Sequence, residues 1–167
     1  MQAKKLILVL FLLISSHCLQ AQILKSWHGE WRGIMHLYSK GMLTDSVPVV
    51  LTVNPKSDSI LTWKTSYLSA KMPMVKDYSL KVIDISKGHY VTDEGGGLLL
   101  DTYYFDEVLY SVFEVQGLLL TATYRLLGDQ IVFEVTSGKS SGKVSGDVTN
   151  YSVNFLQKVK LNRQFNK

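Results

Sequence analysis

Apolar and polar residues alternate with a period of two over long stretches of this chain, and turn residues break the alternation at short, regular intervals. In the segment Tyr151–Leu161, Val153, Phe155, Val159 and Leu161 share one face, with Gln157 among them. Ser152, Asn154, Lys158 and Lys160 share the other. In Leu118–Arg125, Leu118, Leu120, Ala122 and Tyr124 lie opposite Leu119, Thr121, Thr123 and Arg125. Successive side chains of a strand point to opposite faces, so this pattern predicts half-buried strands. Further strands are predicted from about Trp31 to Ser39 and over Val47–Val53, Ile60–Tyr67, Tyr78–Ile85, His89–Thr92, Leu98–Phe105, Val108–Val115 and Ile131–Thr136.

Turns are read at Ser39-Lys40-Gly41, Asn54 to Asp58, Ser86-Lys87-Gly88, Asp93 to Gly97, Asp106-Glu107, Gln116-Gly117 and Gly128-Asp129. Gly and Asp there supply the positive φ that tight hairpins need. The Gly/Ser-rich run from Ser137 to Gly146 reads as a longer loop. Helical periodicity is confined to Leu68–Val75, where Pro73 interrupts it. Roughly ten strands with hairpin connections predict an all-β, antiparallel, up-and-down sheet, which loses its exposed edges by closing into a single barrel. Val108–Val115 is apolar on both faces and calls for cover outside the barrel. A loop or helical cap is favoured for that cover over a homodimer seam.

The first residues stand apart from this pattern. Lys4 and Lys5 precede an apolar run, Leu6 to Ile14, and a small, polar stretch to Gln22. That order fits a secretory signal of residues 1–21 with cleavage after Ala21, and a barrel domain of residues 22–167. The expected destination is the periplasm or the exterior. The alternative is a lipid anchor on Cys18, but His17 before it departs from the small residue that bacterial lipoboxes carry there. Cleavage after Ala21 leaves no cysteine, which excludes disulfides and thiolate metal sites. It also lowers the formal charge from +4 to +2, too mild for a nucleic-acid partner. No later segment is apolar for long enough to form a transmembrane helix.

Trp27-His28-Gly29-Glu30-Trp31-Arg32-Gly33 opens the first strand. Its Gly29-Glu30-Trp31 matches the Gly-x-Trp of the lipocalin first strand, and Arg163 follows the last strand. On these residues the chain resembles the calycin superfamily, which holds lipocalins, fatty-acid-binding proteins and nitrobindin-like barrels. The resemblance implies a barrel floor of Gly29, Trp31 and Arg163, with the guanidinium over the indole as a cation–π contact. It also implies a binding mouth at the opposite end. Nitrobindin-like barrels hold haem through a histidine near the end of the chain, and no histidine follows His89 here. Haem through His36 or His89 is therefore disfavoured against surface histidines, and no cofactor is expected.

Little else in the sequence carries chemistry. No histidines show metal-ligand spacing, no nucleophile elbow or phosphate-binding glycine loop occurs, and no catalytic residues are assigned. Asp93 to Gly97 is read as a glycine-rich hairpin rather than a calcium or anion loop. Parity places Glu114 and Glu134 on outward faces, whereas Asp101 is undecided and is the best candidate for an inward carboxylate. The candidate cavity residues are Trp63, Tyr67, Tyr90, Asp101, Tyr103, Tyr110 and Tyr124, since aromatic walls with polar tips suit ligand cavities. The expected partner is a small apolar or amphipathic molecule. The alternatives are a solid barrel that docks a partner or its own copy, and an enzyme working through Asp101.

Overall fold

The computed structural model describes residues 25–165, with the backbone alone for 143–145. The expected signal segment, its cleavage site and Cys18 lie outside the described residues. Ten strands follow one another: β1 (Gly29–Ser39), β2 (Met42–Ser57), β3 (Ile60–Tyr67), β4 (Met74–Asp84), β5 (His89–Gly95), β6 (Leu98–Phe105), β7 (Val108–Val115), β8 (Leu118–Leu127), β9 (Gln130–Ser145) and β10 (Val148–Gln164). Each pairs antiparallel with its neighbour, and β1 pairs with β10 to close a single barrel.

Two expectations are corrected here. Residues 68–73 form an irregular connection and not a helix, and strand resumes at Met74 directly after Pro73. The Ser137 to Gly146 run is strand rather than loop for nearly all its length, because β9 stays paired with β10 across it. Its glycine has a structural use. A Cβ on Gly138 would collide with the Ser152 carbonyl, so only glycine lets β10 approach where its register shifts. Gly33 plays the same part where β1 meets β10, since a Cβ there would strike the Lys160 carbonyl. Both glycines face β10, the strand that closes the barrel against β1.

The five turns at one end join β1–β2, β3–β4, β5–β6, β7–β8 and β9–β10, and the four at the other join the remaining pairs. The core is concentrated at the second end. Trp31, Leu51, Val53, Ile131, Val159 and Leu161 are fully buried there, with Leu61, Leu80, Tyr90 and Leu109 close behind. Burying each large side chain is worth about 1.5–3 kcal/mol, so this half carries most of the stability of a chain without a disulfide. On β7, Val108 is buried by its neighbours, whereas Val112 remains 62% exposed on the outer surface.

Candidate functional site

The closed end is organised by β1 and the segment before it. Gly29 begins β1 at φ 129, a conformation that glycine tolerates. A Cβ at Gly29 would press on Arg163 Nη1 at 3.2 Å. The Arg163 guanidinium lies 4.0 Å from the centroid of the Trp31 ring. It also donates to the carbonyls of His28 and Ser26, and its Nε donates to Asp129 at 3.0 Å. One side chain thus ties the leading segment, the β8–β9 turn and the indole together. Trp31 Nε1 donates to the Trp27 carbonyl at 3.1 Å, and the Trp27 ring lies 5.5 Å from that of Trp63. Trp27 is buried and belongs to the same core as Trp31 and Trp63. His28 Nε2 is buried with no hydrogen-bond partner among the described residues. Burial, then the positive charges of Lys25 and Arg163, hold the His28 pKa below its ordinary value.

Above this floor the barrel is hollow. A cavity of about 530 Å³ reaches from Trp63 to the open end. Its depth is aromatic: Tyr124 stacks on Phe133 at 4.0 Å and meets Trp63 edge-on at 5.1 Å. The Tyr124 hydroxyl is bonded to the Trp63 and Thr65 side chains, and burial keeps its pKa far above the ordinary value. Met35, Leu37, Ala122 and Val135 form the middle wall.

Polar groups gather toward the mouth, where Lys76, Tyr78 and Glu94 face one another from β4 and β5, with Asp45 and Gln157 on other strands of the lining. Lys76 Nζ lies 5.9 Å from the centroid of the Tyr78 ring. Burial first, then the hydrogen bond to Glu94, raise the Tyr78 pKa strongly. Tyr67 is raised by burial and by the Glu94 charge. Both hydroxyls therefore stay protonated and able to donate.

The wall has one seam. β6 and β7 pair only at Tyr103–Tyr110, Tyr104–Leu109 and Phe105–Val108, all toward the closed end. Beyond these pairs a side-chain contact links the two strands, with Thr102 Oγ1 2.8 Å from Ser111 Oγ, while Thr92 Oγ1 of β5 lies 2.9 Å from Thr102 Oγ1 on the other side. Leu100, Ser111 and Phe113 beside this seam belong to the cavity lining.

Of the candidate cavity residues, Trp63, Tyr67 and Tyr124 line the space. Tyr90 points inward but is packed in the solid core below it. Asp101, Tyr103 and Tyr110 face outward, which corrects the expectation for all three. Asp101 accepts from His89 Nε2 at 2.9 Å, and His89 stacks on Tyr103, whose neighbours along the outer face are Phe105 and Tyr110. The reason is strand parity: Leu100, Thr102 and Tyr104 take the inner face of β6, so Asp101, Tyr103 and Phe105 take the outer one. With Asp101 outside, an enzyme working through it loses its carboxylate. Glu134 pairs on the outer face with Lys158 at 2.7 Å. His36, bonded to Ser46 at 2.9 Å, and His89 are absent from the cavity lining.

Lys76, Tyr78, Glu94 and Asp45 were not among the candidates. β4 and β5 each run farther toward the mouth than the alternation suggested. Extending the parity of Leu80 and Tyr78 to Lys76, and of Tyr90 and Thr92 to Glu94, identifies both.

No family model matches this sequence, and no curated protein matches it. Solved structures do match, at the level of fold. A protein of unknown function from the DUF3598 family of Nostoc punctiforme superimposes with a TM-score of 0.60 and 14% identity, over 84% of this chain and 49% of that one. The chain thus spans about half the length of that protein. The S-type phycobiliprotein lyase CpeS of Guillardia theta gives a TM-score of 0.65 and 8% identity, over 87% of this chain and 93% of that one. Rv2717c of M. tuberculosis gives 0.57 and 15%, over 87% and 98%. These likenesses, at 8–15% identity, are likenesses of fold alone, that of the closed antiparallel barrel described above.

Proposed function

We propose that this barrel holds a small amphipathic molecule, with its apolar part against Trp63, Tyr124 and Phe133 and its polar part among Lys76, Tyr78 and Glu94. The observation that carries the reading is a cavity of about 530 Å³ with Trp63, Tyr124 and Phe133 at its base and the polar side chains of Lys76, Tyr78 and Glu94 nearer its mouth. Its volume suits a ligand of moderate size, and a few polar groups on an apolar wall are the usual means of orienting one. A likeness to a phycobiliprotein lyase fits a barrel that takes a ligand. The basic, apolar and small-residue order of residues 1–21 supports the further reading that the protein acts after export, in the periplasm or beyond.

One experiment addresses both readings. Protein recovered from the periplasm of producing cells is examined by native mass spectrometry. The expected mass begins at Gln22 and carries an additional small molecule that organic extraction removes. Ala122→Trp fills the middle of the cavity and is expected to abolish retention while the barrel still folds. A wild-type barrel that retains nothing, and binds no amphipathic fluorescent probe that Ala122→Trp displaces, overturns the ligand reading. An unprocessed, cytoplasmic protein overturns the export reading.

A further inference from the structure

The charged side chains in the cavity lining are Asp45, Lys76 and Glu94, and none of them enters an ion pair among the described residues. Asp45, on β2, is exposed and accepts from the Ser46 N–H at 2.7 Å. Lys76 and Glu94 stand close together on β4 and β5, and the outward face of the same two strands shows what such neighbours can do. There Ser79 pairs with Asp93, Lys81 stands two residues farther along β4, and Lys81 Nζ reaches the Asp93 carboxylate at 2.7 Å. On the inward face Tyr78 and Glu94 are the next residues toward the mouth, and Lys76 again stands two residues from Tyr78. A diagonal offset of this kind is about 7–8 Å, within reach of a long side chain. The inward pair nevertheless stays open, because Tyr78 serves both of its members. Lys76 Nζ lies 5.9 Å from the centroid of the Tyr78 ring, and the Tyr78 hydroxyl is hydrogen-bonded to Glu94. Thr65 and Trp63, the β3 partners of Lys76 and Tyr78, line the cavity beside them.

We infer, building on the amphipathic ligand proposed above, that its head group is a zwitterion of the α-amino acid kind, with its ammonium on Glu94 and its carboxylate on Lys76. An ammonium donates in several directions and a carboxylate accepts in several, so both side chains keep capacity toward the cavity after Tyr78 has been served. A head group of one sign serves this site poorly. A lone carboxylate on Lys76 is brought close to the Glu94 carboxylate, and a lone ammonium on Glu94 is brought close to Lys76; like charges at such range repel, the more so in a partly enclosed space. A head group of both signs gains two charge-assisted hydrogen bonds and leaves neither charge uncompensated. The order of the charges is also set by the strands. β4 runs from the mouth at Met74 inward through Lys76 and Tyr78 to Leu80, so Glu94, beside Tyr78, lies deeper than Lys76. The ammonium therefore sits at least as deep as the acid. An α-amino acid head meets that order, whereas a phosphoethanolamine head, with its ammonium farthest from the tail, reverses it.

The test is displacement of N-phenylnaphthylamine, an uncharged fluorescent probe, from the delipidated barrel at neutral pH. The competitors share a dodecyl chain and differ in the head: dodecanol, dodecylamine, tridecanoate, α-aminotetradecanoate and dodecyl phosphoethanolamine, each below its micelle-forming concentration. α-Aminotetradecanoate is expected to displace the probe at a concentration about tenfold below that of dodecylamine or tridecanoate, the factor that one further hydrogen bond to a charged group supplies. Dodecyl phosphoethanolamine is expected to be weaker than α-aminotetradecanoate. Glu94→Gln is expected to bring α-aminotetradecanoate down to the level of tridecanoate, and Lys76→Gln to bring it down to the level of dodecylamine. Neither variant is expected to alter displacement by dodecanol, and thermal melts establish that both fold. Failure of every competitor, dodecanol included, to displace the probe overturns the ligand cavity and the head group together. Displacement by dodecanol with no advantage for α-aminotetradecanoate overturns the head group alone, as does an advantage that survives both variants. Tighter binding of dodecyl phosphoethanolamine than of α-aminotetradecanoate overturns the order of the two charges and with it the α-amino acid head.

Discussion

The closed and open ends of this barrel are made from the same ten strands and differ in how their inward positions are used. At the closed end Trp31, Leu51, Leu161 and Ile131 are fully buried, with Arg163 over the Trp31 ring and Trp27 packed between Trp31 and Trp63. At the open end the same parity brings Lys76, Glu94, Asp45 and Gln157 inward, and those side chains leave a space between them. The difference teaches a division of labour. A floor packed at core density sustains the fold, which frees the upper wall to carry polar groups that a solid core would exclude.

The sharpest way to break this comparison is at Trp31. Trp31→Ala removes a fully buried indole, its bond to Trp27 and the ring under Arg163, and is expected to cost about 3–5 kcal/mol in urea denaturation. Arg163→Gln is expected to cost less, since the indole stays packed. If the two ends are separable, both variants keep their affinity for an amphipathic fluorescent probe at temperatures where they remain folded. A floor variant that loses probe affinity in proportion to its stability would join the two ends into one unit.

A smaller effect is expected at the seam between β6 and β7. Thr102 and Ser111 bridge strands that are otherwise unpaired toward the mouth, and their hydroxyls are 2.8 Å apart. Thr102→Cys with Ser111→Cys places two thiols at the same position in a chain that is free of other cysteines after Ala21. If the wall opens there to admit a ligand, oxidation slows probe uptake and release in stopped-flow measurements, and reduction restores them. Equal rates before and after oxidation would assign all passage to the open mouth.

The strand pattern was legible because one face of most strands is buried and a one-residue slip would invert it. Thus Glu114 and Glu134 could be placed from Phe113, Val115, Phe133 and Val135. β6 defeated the same reasoning: Leu98, Leu100 and Tyr104 on one face are no more apolar than Leu99, Tyr103 and Phe105 on the other. Three cavity candidates were misplaced on that strand and the next, Asp101, Tyr103 and Tyr110. The mouth was illegible for a different reason. Glu94 was read as part of a turn and Lys76 fell before the predicted strand at Tyr78, because charge at an inward position is uncommon unless a cavity solvates it or a ligand meets it. The Gly/Ser run from 137 misled through composition, since pairing with β10 overrides the poor strand preference of those residues.

The smallest expected effect belongs to pH, and it too separates the ends. His28 at the floor has its pKa below the ordinary 6.5 because burial and the charges of Lys25 and Arg163 disfavour the imidazolium. The unfolded chain therefore binds this proton more readily than the folded one. Stability attributable to His28 is complete above pH about 6.5 and falls as the pH drops through that value, since acid favours the state that takes up the proton. His28→Gln removes the titration, so its melting temperature is expected to change less than that of the wild type between neutral pH and pH 5. At the mouth, Tyr67 and Tyr78 are raised and stay neutral throughout that range. Their hydroxyls contribute no acid limb of their own to probe binding measured over the same interval. A wild-type melting temperature that falls no further on acidification than that of His28→Gln would show that the unpartnered Nε2 reaches water and that the floor is wetter than its packing indicates.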